Sequence, residues 1–335
     1  MEIVKQFKDL PGQESITLIC VLRDEELLLP AFISHYRSLG VTHFSFIDNG
    51  SEDNSLPYLK ACMDPNFQLW YTEESYAQNL YGVTWVHKVM SSYLKDRWCL
   101  VVDVDEFLLP PYSTRSLVDI RDSMRVTNAN VLDTCLLEMY PDNFDKDPYT
   151  KFQKPFIHSN CFDKMSFDTI YKGGGPWGLA LKGGVRSRIF KPDLPVDNKS
   201  YCLTKRSFFY YDFYDTHVLS DGMHWIFPIE LLDSWSGRTV GNSKDCWDKD
   251  IWRKNEDRIR PYEQLMLLPH FKFIKPDFRE FVQMRVHRNE DAYESGEYKS
   301  YLELDTFNFY DESVTEEYVG NNHLLYGHTL GQLVL

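Results

Sequence analysis

The sequence predicts an α/β protein with a central, mostly parallel sheet flanked by helices. Two observations carry that prediction. Over the first hundred residues, short apolar runs alternate with segments of helical spacing, the pattern of a parallel sheet covered on both faces. Three of those runs end in polar, acid-bearing segments: "RDE" after the first, "DNGSED" after the second and "DVDE" after the fourth. Ligands of such sheets bind outside the carboxyl ends of the strands, so these segments should line one edge.

The elements follow in order. "ITLICVL" (16–22) is a continuous apolar run with β-branched residues, hence a buried strand. Pro30 suits a helix's first turn. Phe32, Ile33, Tyr36 and Leu39 keep helical spacing, and Gly40 is placed to end that helix. "HFSFID" (43–48) is the next strand, "NGSED" is turn chemistry, and a short helix follows. "FQLWYT" (67–72) is the third strand. Val86, Val89, Met90, Tyr93 and Leu94 then form one helix face, and "WCLVVDV" is the fourth strand. From about 110 to 275 the pattern is less regular. "YKGGGPWGLALKGGVRSRIF" (171–190) reads as a glycine-rich loop running into a strand. "DFREFVQMRVHR", beginning at Asp277, reads as a helix capped by that residue, with Phe278, Phe281 and Val282 on one face. No repeat or low-complexity linker breaks the chain. The division expected is one domain over 1–290, with a partly helical C-terminal extension, 291–335, packed on it.

Composition narrows the function classes. The 335 residues carry 36 Lys and Arg against 50 Asp and Glu, a formal charge of −14. A broad nucleic-acid surface is thereby disfavoured, and any phosphate-bearing substrate needs metal or local cations. No apolar run approaches the roughly 18 residues of a membrane span, and no basic amphipathic helix is evident, so membrane association is at most peripheral. The start, "MEIVKQFKDLPGQE", lacks a secretory pattern. Seven scattered cysteines without a CxxC fit a reducing, cytoplasmic compartment.

The sharpest chemical signal is "WCLVVDVDEFLLPP" (98–111). Several buried carboxylates together are costly unless something neutralises them. On an extended strand Asp103 and Asp105 would face one side, their Cα atoms about 6.5–7 Å apart. Such a pair can share a hard divalent ion, Mg2+ or Mn2+, which also takes substrate phosphates. The bland alternative is pairing with arginine or helix capping. In "GGVRSRIF", Arg186 and Arg188 either hold a diphosphate or acidic sugar or sit on an exposed edge strand. Trp177, in the glycine loop, is the aromatic best placed to stack on a sugar. The segment lacks the P-loop ending, and no GxGxxG follows the first strand, which argues against a Rossmann dinucleotide site. His270 ends an apolar run and could complete a metal shell; a buried, hydrogen-bonded histidine is the ordinary alternative. Lys272, two residues on, joins the substrate-binding candidates.

Together, "LRDEELLLPAFISHYRSLGVTHFSFIDNGSEDNS", "WCLVVDVDEFLLPP", "GGVRSRIF" and "LLPHFKFI…EYKSYLE" resemble, in that order, bacterial family 2-like glycosyltransferases, a group related to the family 92 enzymes. The resemblance spans most of 16–303. It implies a GT-A fold, a nucleotide-diphospho-sugar-binding α/β domain with a DxD metal motif. It implies transfer of a sugar, from a UDP-sugar by preference, to a hydroxyl of a glycan or other acceptor in polysaccharide or glycoconjugate biosynthesis. Asp103 and Asp105 would hold the metal with His270 as a possible third ligand, and Asp24 and Asp48 would lie near base and ribose. Relatives show Lys-Asn-Glu where this chain has Arg23, Asp24 and Glu25, and "DNGSxDGT" where it has "DNGSEDNS", with Asp48, Asn49 and Asp53 kept. For an inverting reaction, the favoured outcome, Asp221, His224 and Glu230 are the candidate bases. Two rivals stand beside this reading: a non-catalytic nucleotide-sugar or glycan-binding protein, and a phosphotransferase using Asp103 as nucleophile.

Overall fold

The computed structural model describes residues 1–62, 64–110, 116–144, 148–150, 153–164, 167–172, 179–190, 201–220, 224, 226–228, 258–288, 297–304 and 307–319. Eight strands form the main sheet: β1 (Glu2–Lys5), β2 (Ile16–Leu22), β3 (His43–Asp48), β4 (Phe67–Tyr71), β5 (Trp98–Val101), β6 (Val131–Glu138), β7 (Thr204–Tyr210) and β8 (Met266–His270). Their spatial order is β1-β4-β3-β2-β5-β7-β6-β8. β4, β3, β2 and β5 run parallel, as do β6 and β8; β7 is antiparallel between β5 and β6, and β1 is antiparallel on the edge. The expected α/β class, with its mostly parallel sheet between helices, is the one observed.

Each predicted element of the first hundred residues is present. Strands buried on both faces read as unbroken apolar runs, and β2 is buried at every position. Its alternate residues enter different cores. Leu18, Cys20 and Leu22 pack with Phe32, Ile33 and Tyr36 of helix α1 (Leu29–Ser38); Ile19 and Val21 pack with Val86, Val89 and Met90 of a later helix (Val83–Tyr93). Gly40, at φ +93°, ends the turn after α1 in a conformation that favours glycine. Asp277 caps helix α2 (Phe278–His287) by accepting from the Glu280 amide, as its sequence predicts.

Two expectations are corrected. The strand β5 ends at Val101, and Asp103–Glu106 form a turn closed by the Glu106 amide on the Asp103 carbonyl, 3.0 Å. The two aspartates therefore do not share one strand face. Arg186 and Arg188 lie not on a strand but on helix α3 (Gly184–Phe190), which follows a hairpin of Phe167–Lys172 and Leu179–Gly183. Gly184, at φ +82°, is the reason: a Cβ there would collide with the Glu138 carboxylate, so helix and β6 close together only around glycine.

A third apolar cluster joins Val185 of α3, Phe273, Phe278 and Val282 of the α2 region, and Tyr301 of helix α4 (Glu297–Leu302). No disulfide is found among the described cysteines. Among the described residues no helix is long and apolar enough to cross a membrane.

Candidate active site

Because β2, β3, β5, β6 and β8 point the same way, their carboxyl ends share one edge with the start of antiparallel β7. That edge collects Arg23–Glu25, Asp48–Asn49, Asp103–Glu106, Glu138, Thr204–Lys205 and His270. The strand order also reverses there, between β2 and β5, where ligands of open α/β sheets bind.

The acid turn is held from three sides. The Phe107 amide donates to the Pro269 carbonyl at 2.8 Å, and the Phe271 amide donates to the Asp105 carbonyl at 2.8 Å, which stitches the turn to β8. From α1, the Tyr36 hydroxyl donates to the Glu106 carbonyl (2.8 Å) and accepts from the Leu108 amide (3.0 Å). Within the turn, the Glu106 carboxylate accepts from the Asp103 amide at 2.9 Å.

The carboxylates then diverge. Glu106 is buried against Lys205, whose Nζ lies 2.8 and 2.7 Å from its two oxygens and 3.3 Å from Asp103 Oδ2. Burial opposes the charge on Lys205, but Asp103 and Glu106 outweigh it and hold the ammonium protonated above its usual range. Asp105 turns the other way, its Oδ2 3.3 Å from His270 Nε2. Burial opposes its charge too, yet His270, Lys275 and Lys272 overcome it and hold the carboxyl well below the usual range. Much of the acid cluster is thus neutralised by the protein's own cations, Lys205 foremost. Sequence reading missed Lys205. The signal was present: "TKRSFFYY" opens a β-prone aromatic run with two cations, and a cation that enters a sheet needs a buried acid.

Asp105 Oδ2 and His270 Nε2 suit a divalent ion. Bonds of about 2.1 Å in an octahedron place neighbouring ligand atoms about 3 Å apart, and these two atoms are 3.3 Å apart. Asp103, whose side chain is 44% exposed, faces Lys205 instead. His270 Nδ1 is buried without a hydrogen-bond partner, whereas a ligating histidine ordinarily donates that N–H. Among the described residues no three His, Cys, Asp or Glu side chains come together as a group that could hold a metal ion, so Asp103 does not complete the Asp105–His270 pair. An ion here would take its remaining ligands from substrate phosphate and water.

The other candidates fall into place around this centre. Asp24, at φ +56°, accepts from the Glu52 and Asp53 amides with one oxygen and from Arg288 with the other. Burial works against its charge, but Arg288 and those amides lower its carboxyl below the usual range. Glu25 pairs with Lys275, and Arg23 with Glu52. Asp48 is fully buried; its Oδ1 accepts from the Ser51 amide and its Oδ2 meets no partner. Burial raises its carboxyl. The Asn49 side-chain amide donates to the Thr72 and Glu74 carbonyls.

On the far side, Arg186 is buried between Glu138 and Glu297, and Lys272 shares Glu297 at 2.8 Å. Arg188 instead points to Asp163, 2.7 Å away, in a network with Tyr140. The pair expected to act together thus serves two different acids, because a helix turns residues two apart away from each other. His224 Nδ1 lies 2.7 Å from the Thr204 carbonyl, beside Lys205. Burial lowers its pKa to about 4, so the ring is neutral near pH 7 and Nε2 keeps its lone pair. Asp221, Glu230 and Trp177 lie outside the described residues.

No family model matches the sequence, and no curated protein matches it. Among solved structures the chain is similar to CMP:2-keto-3-deoxy-manno-octonic acid synthetase complexed with CTP, at 10% identity and a TM-score of 0.34, over 82% of this chain and 99% of that one. It is similar to UDP-glucose pyrophosphorylase complexed with UDP-glucose at 8% identity and a TM-score of 0.29, over 76% of this chain and 89% of that one. A third, 4-diphosphocytidyl-2C-methyl-D-erythritol synthase, gives 12% identity and a TM-score of 0.25 over 42% of this chain and 68% of that one. Likeness this distant carries no argument about what the chain does.

Proposed function

We propose that the chain is a metal-dependent glycosyltransferase that moves a sugar from a nucleotide-diphospho-sugar, a UDP-sugar by preference, to a hydroxyl acceptor. The observation that carries this reading is the meeting of Asp105 and His270 at 3.3 Å on the carboxyl edge of the sheet. Asp105 and His270 would hold Mn2+ or Mg2+ with substrate phosphate and water completing the shell, and Asp103 would join them only by turning from Lys205. When bound, the ion supplies positive charge against the leaving nucleoside diphosphate. The same motif order led to this class from sequence.

The rest of the chemistry belongs to the chain's own groups. The acceptor oxygen bonds to the anomeric carbon as the bond from that carbon to the phosphate oxygen breaks. His224 takes the acceptor proton on Nε2; its Nδ1–H stays with the Thr204 carbonyl. Lys272 and Lys275 add positive charge near Asp105, which favours an anionic donor at this edge of an acidic protein.

Calorimetric titration of UDP, with GDP and dTDP beside it, in Mn2+ and then in EDTA tests the reading. Metal and nucleotide should each strengthen the other by the same factor. Equal binding in EDTA, or full Mn2+-dependent affinity in Asp105→Asn, would refute the metal site. A panel of UDP-sugars and glycan acceptors then separates an enzyme, which turns over, from a binding protein, which does not.

A further inference from the structure

The two edges of the main sheet are finished differently. Along β8, the chain that leaves the acid turn covers the edge: the Phe107 amide donates to the Pro269 carbonyl at 2.8 Å and the Leu109 amide to the Leu267 carbonyl at 2.9 Å. Outside β1 no strand lies among the described residues. An uncovered edge offers unpaired N–H and C=O groups to another strand, and proteins ordinarily blunt such edges with charge, proline or a bulge. In β1 two of the four residues are apolar and exposed, Ile3 at 38% and Val4 at 39%.

The register of β1 on β4 sorts its side chains. Glu2 lies opposite Tyr71, Ile3 opposite Trp70 and Lys5 opposite Leu69, so β1 carries an extra residue between Ile3 and Lys5. Tyr71 and Leu69 are two apart on one strand and share a face, so Glu2 and Lys5 share that face with them. Ile3 lies on the other face, with Trp70. Lys5 gives two of its three N–H bonds to the Cys62 and Asp64 carbonyls, at 2.7 and 2.8 Å, and keeps one. Glu2 is exposed.

We infer that β1 is a self-association edge, on which a second copy of this chain pairs antiparallel about a two-fold axis between Ile3 and Val4. The strand is its own complement. Turned about that axis, Glu2 faces the partner's Lys5 on one side of the sheet, and Ile3 meets the partner's Val4. The extra residue selects the partner. A regular strand would run out of step across it, whereas a second copy carries the same extra residue and keeps the same spacing from Glu2 to Lys5. Two-fold symmetry closes the assembly at two, because the far edge of each sheet is already covered. A four-residue pairing is much smaller than the roughly 1,600 Å² of a standard interface, so the dimer is weak and forms by mass action. Nothing in this association depends on the acid turn.

Sedimentation velocity of the full chain in low salt, from about 1 μM to about 500 μM, tests this. The weight-average sedimentation coefficient should rise from monomer towards dimer and no further, and added salt should weaken the rise. Glu2→Lys sets like charges across the seam and should weaken the dimer about tenfold, as should the double variant Ile3→Lys with Val4→Lys. An equal mixture of Glu2→Lys and Lys5→Glu should recover association through a mixed dimer, since each introduced charge then faces its opposite. Thermal midpoints are recorded for every variant. If Lys5→Glu lowers its own midpoint, by disturbing the Cys62 and Asp64 contacts, the other two variants decide alone. A wild type that stays monomeric throughout overturns the inference. So does a dimer that either Glu2→Lys or the Ile3–Val4 double variant leaves intact, or a well-folded mixture that fails to associate.

Discussion

Two acidic clusters stand on the same sheet edge, and they differ in what their carboxylates are left to do. Beyond β2 and β3, Asp24 commits one oxygen to two amides and the other to Arg288, Glu25 pairs with Lys275, and Glu52 faces Arg23 and Arg288. This is a clasp between the first loop and the segment 275–288. Beyond β5, Lys205 takes both oxygens of Glu106 but only one of Asp103, and Asp105 meets a histidine that is itself a ligand type. The second cluster keeps coordination capacity; the first has little. What separates a scaffold acid from a ligand acid is therefore how many donors already face it.

The largest expected effect breaks the second cluster. Asp103→Asn and Asp105→Asn should each lower kcat/KM by about a thousandfold, since a bound ion contributes several kcal/mol and each 1.36 kcal/mol is tenfold. Mn2+-dependent UDP affinity should vanish with it. Each change also takes a carboxylate from a cation that faces it, so the thermal midpoint is recorded beside the kinetics. If Asp24→Asn proves equally damaging to Mn2+ binding, the distinction between the clusters collapses.

A smaller effect probes chemistry apart from binding. His224→Ala should lower kcat by about 10²–10⁴ while leaving the affinities for Mn2+ and UDP within about threefold. Parallel loss of Mn2+ affinity would return His224 to a packing role. Its folded pKa of about 4 also predicts that an acid limb in kcat due to this ring lies near pH 4 rather than 6.5. A pH–rate profile of the wild type locates it.

The smallest effect sharpens the first cluster. Asp24→Asn keeps a residue that tolerates positive φ but loses the charge facing Arg288, at a cost of about 1 kcal/mol. The carboxyl's pKa is lowered in the folded state, so its contribution is present above the unfolded value and is lost as pH falls through the folded one. The stability gap between wild type and variant should therefore shrink as pH falls below about 4. Urea denaturation at pH 7 and pH 3 measures it; a gap that widens in acid would contradict the assignment. Mn2+ affinity should change by less than about twofold.

Legibility followed the same divide. In the first hundred residues the parallel strands are buried on both faces, and their helices alternate with them, so local pattern and tertiary role coincide. Beyond residue 110 the strands β6, β7 and β8 come from distant stretches, and their order is set by pairing rather than by sequence. The glycine-rich segment misled because Gly184 serves close packing against Glu138, which ends the hairpin and starts a helix, while "GVRSRIF" alone fits a strand equally well.

The sequence by itself determined the layered α/β class, the burial of β2 to β5, the cap at Asp277 and the crowding of acids at the strand ends, because each depends on residue order over a few positions. Tertiary structure decided the rest. It set Lys205 against Asp103 from 102 residues away and brought His270 to Asp105. It gave Asp24 to Arg288 and divided Arg186 from Arg188. Partner choice among charges depends on distance and solvent exposure, and those are fixed only when remote strands take neighbouring places in one sheet.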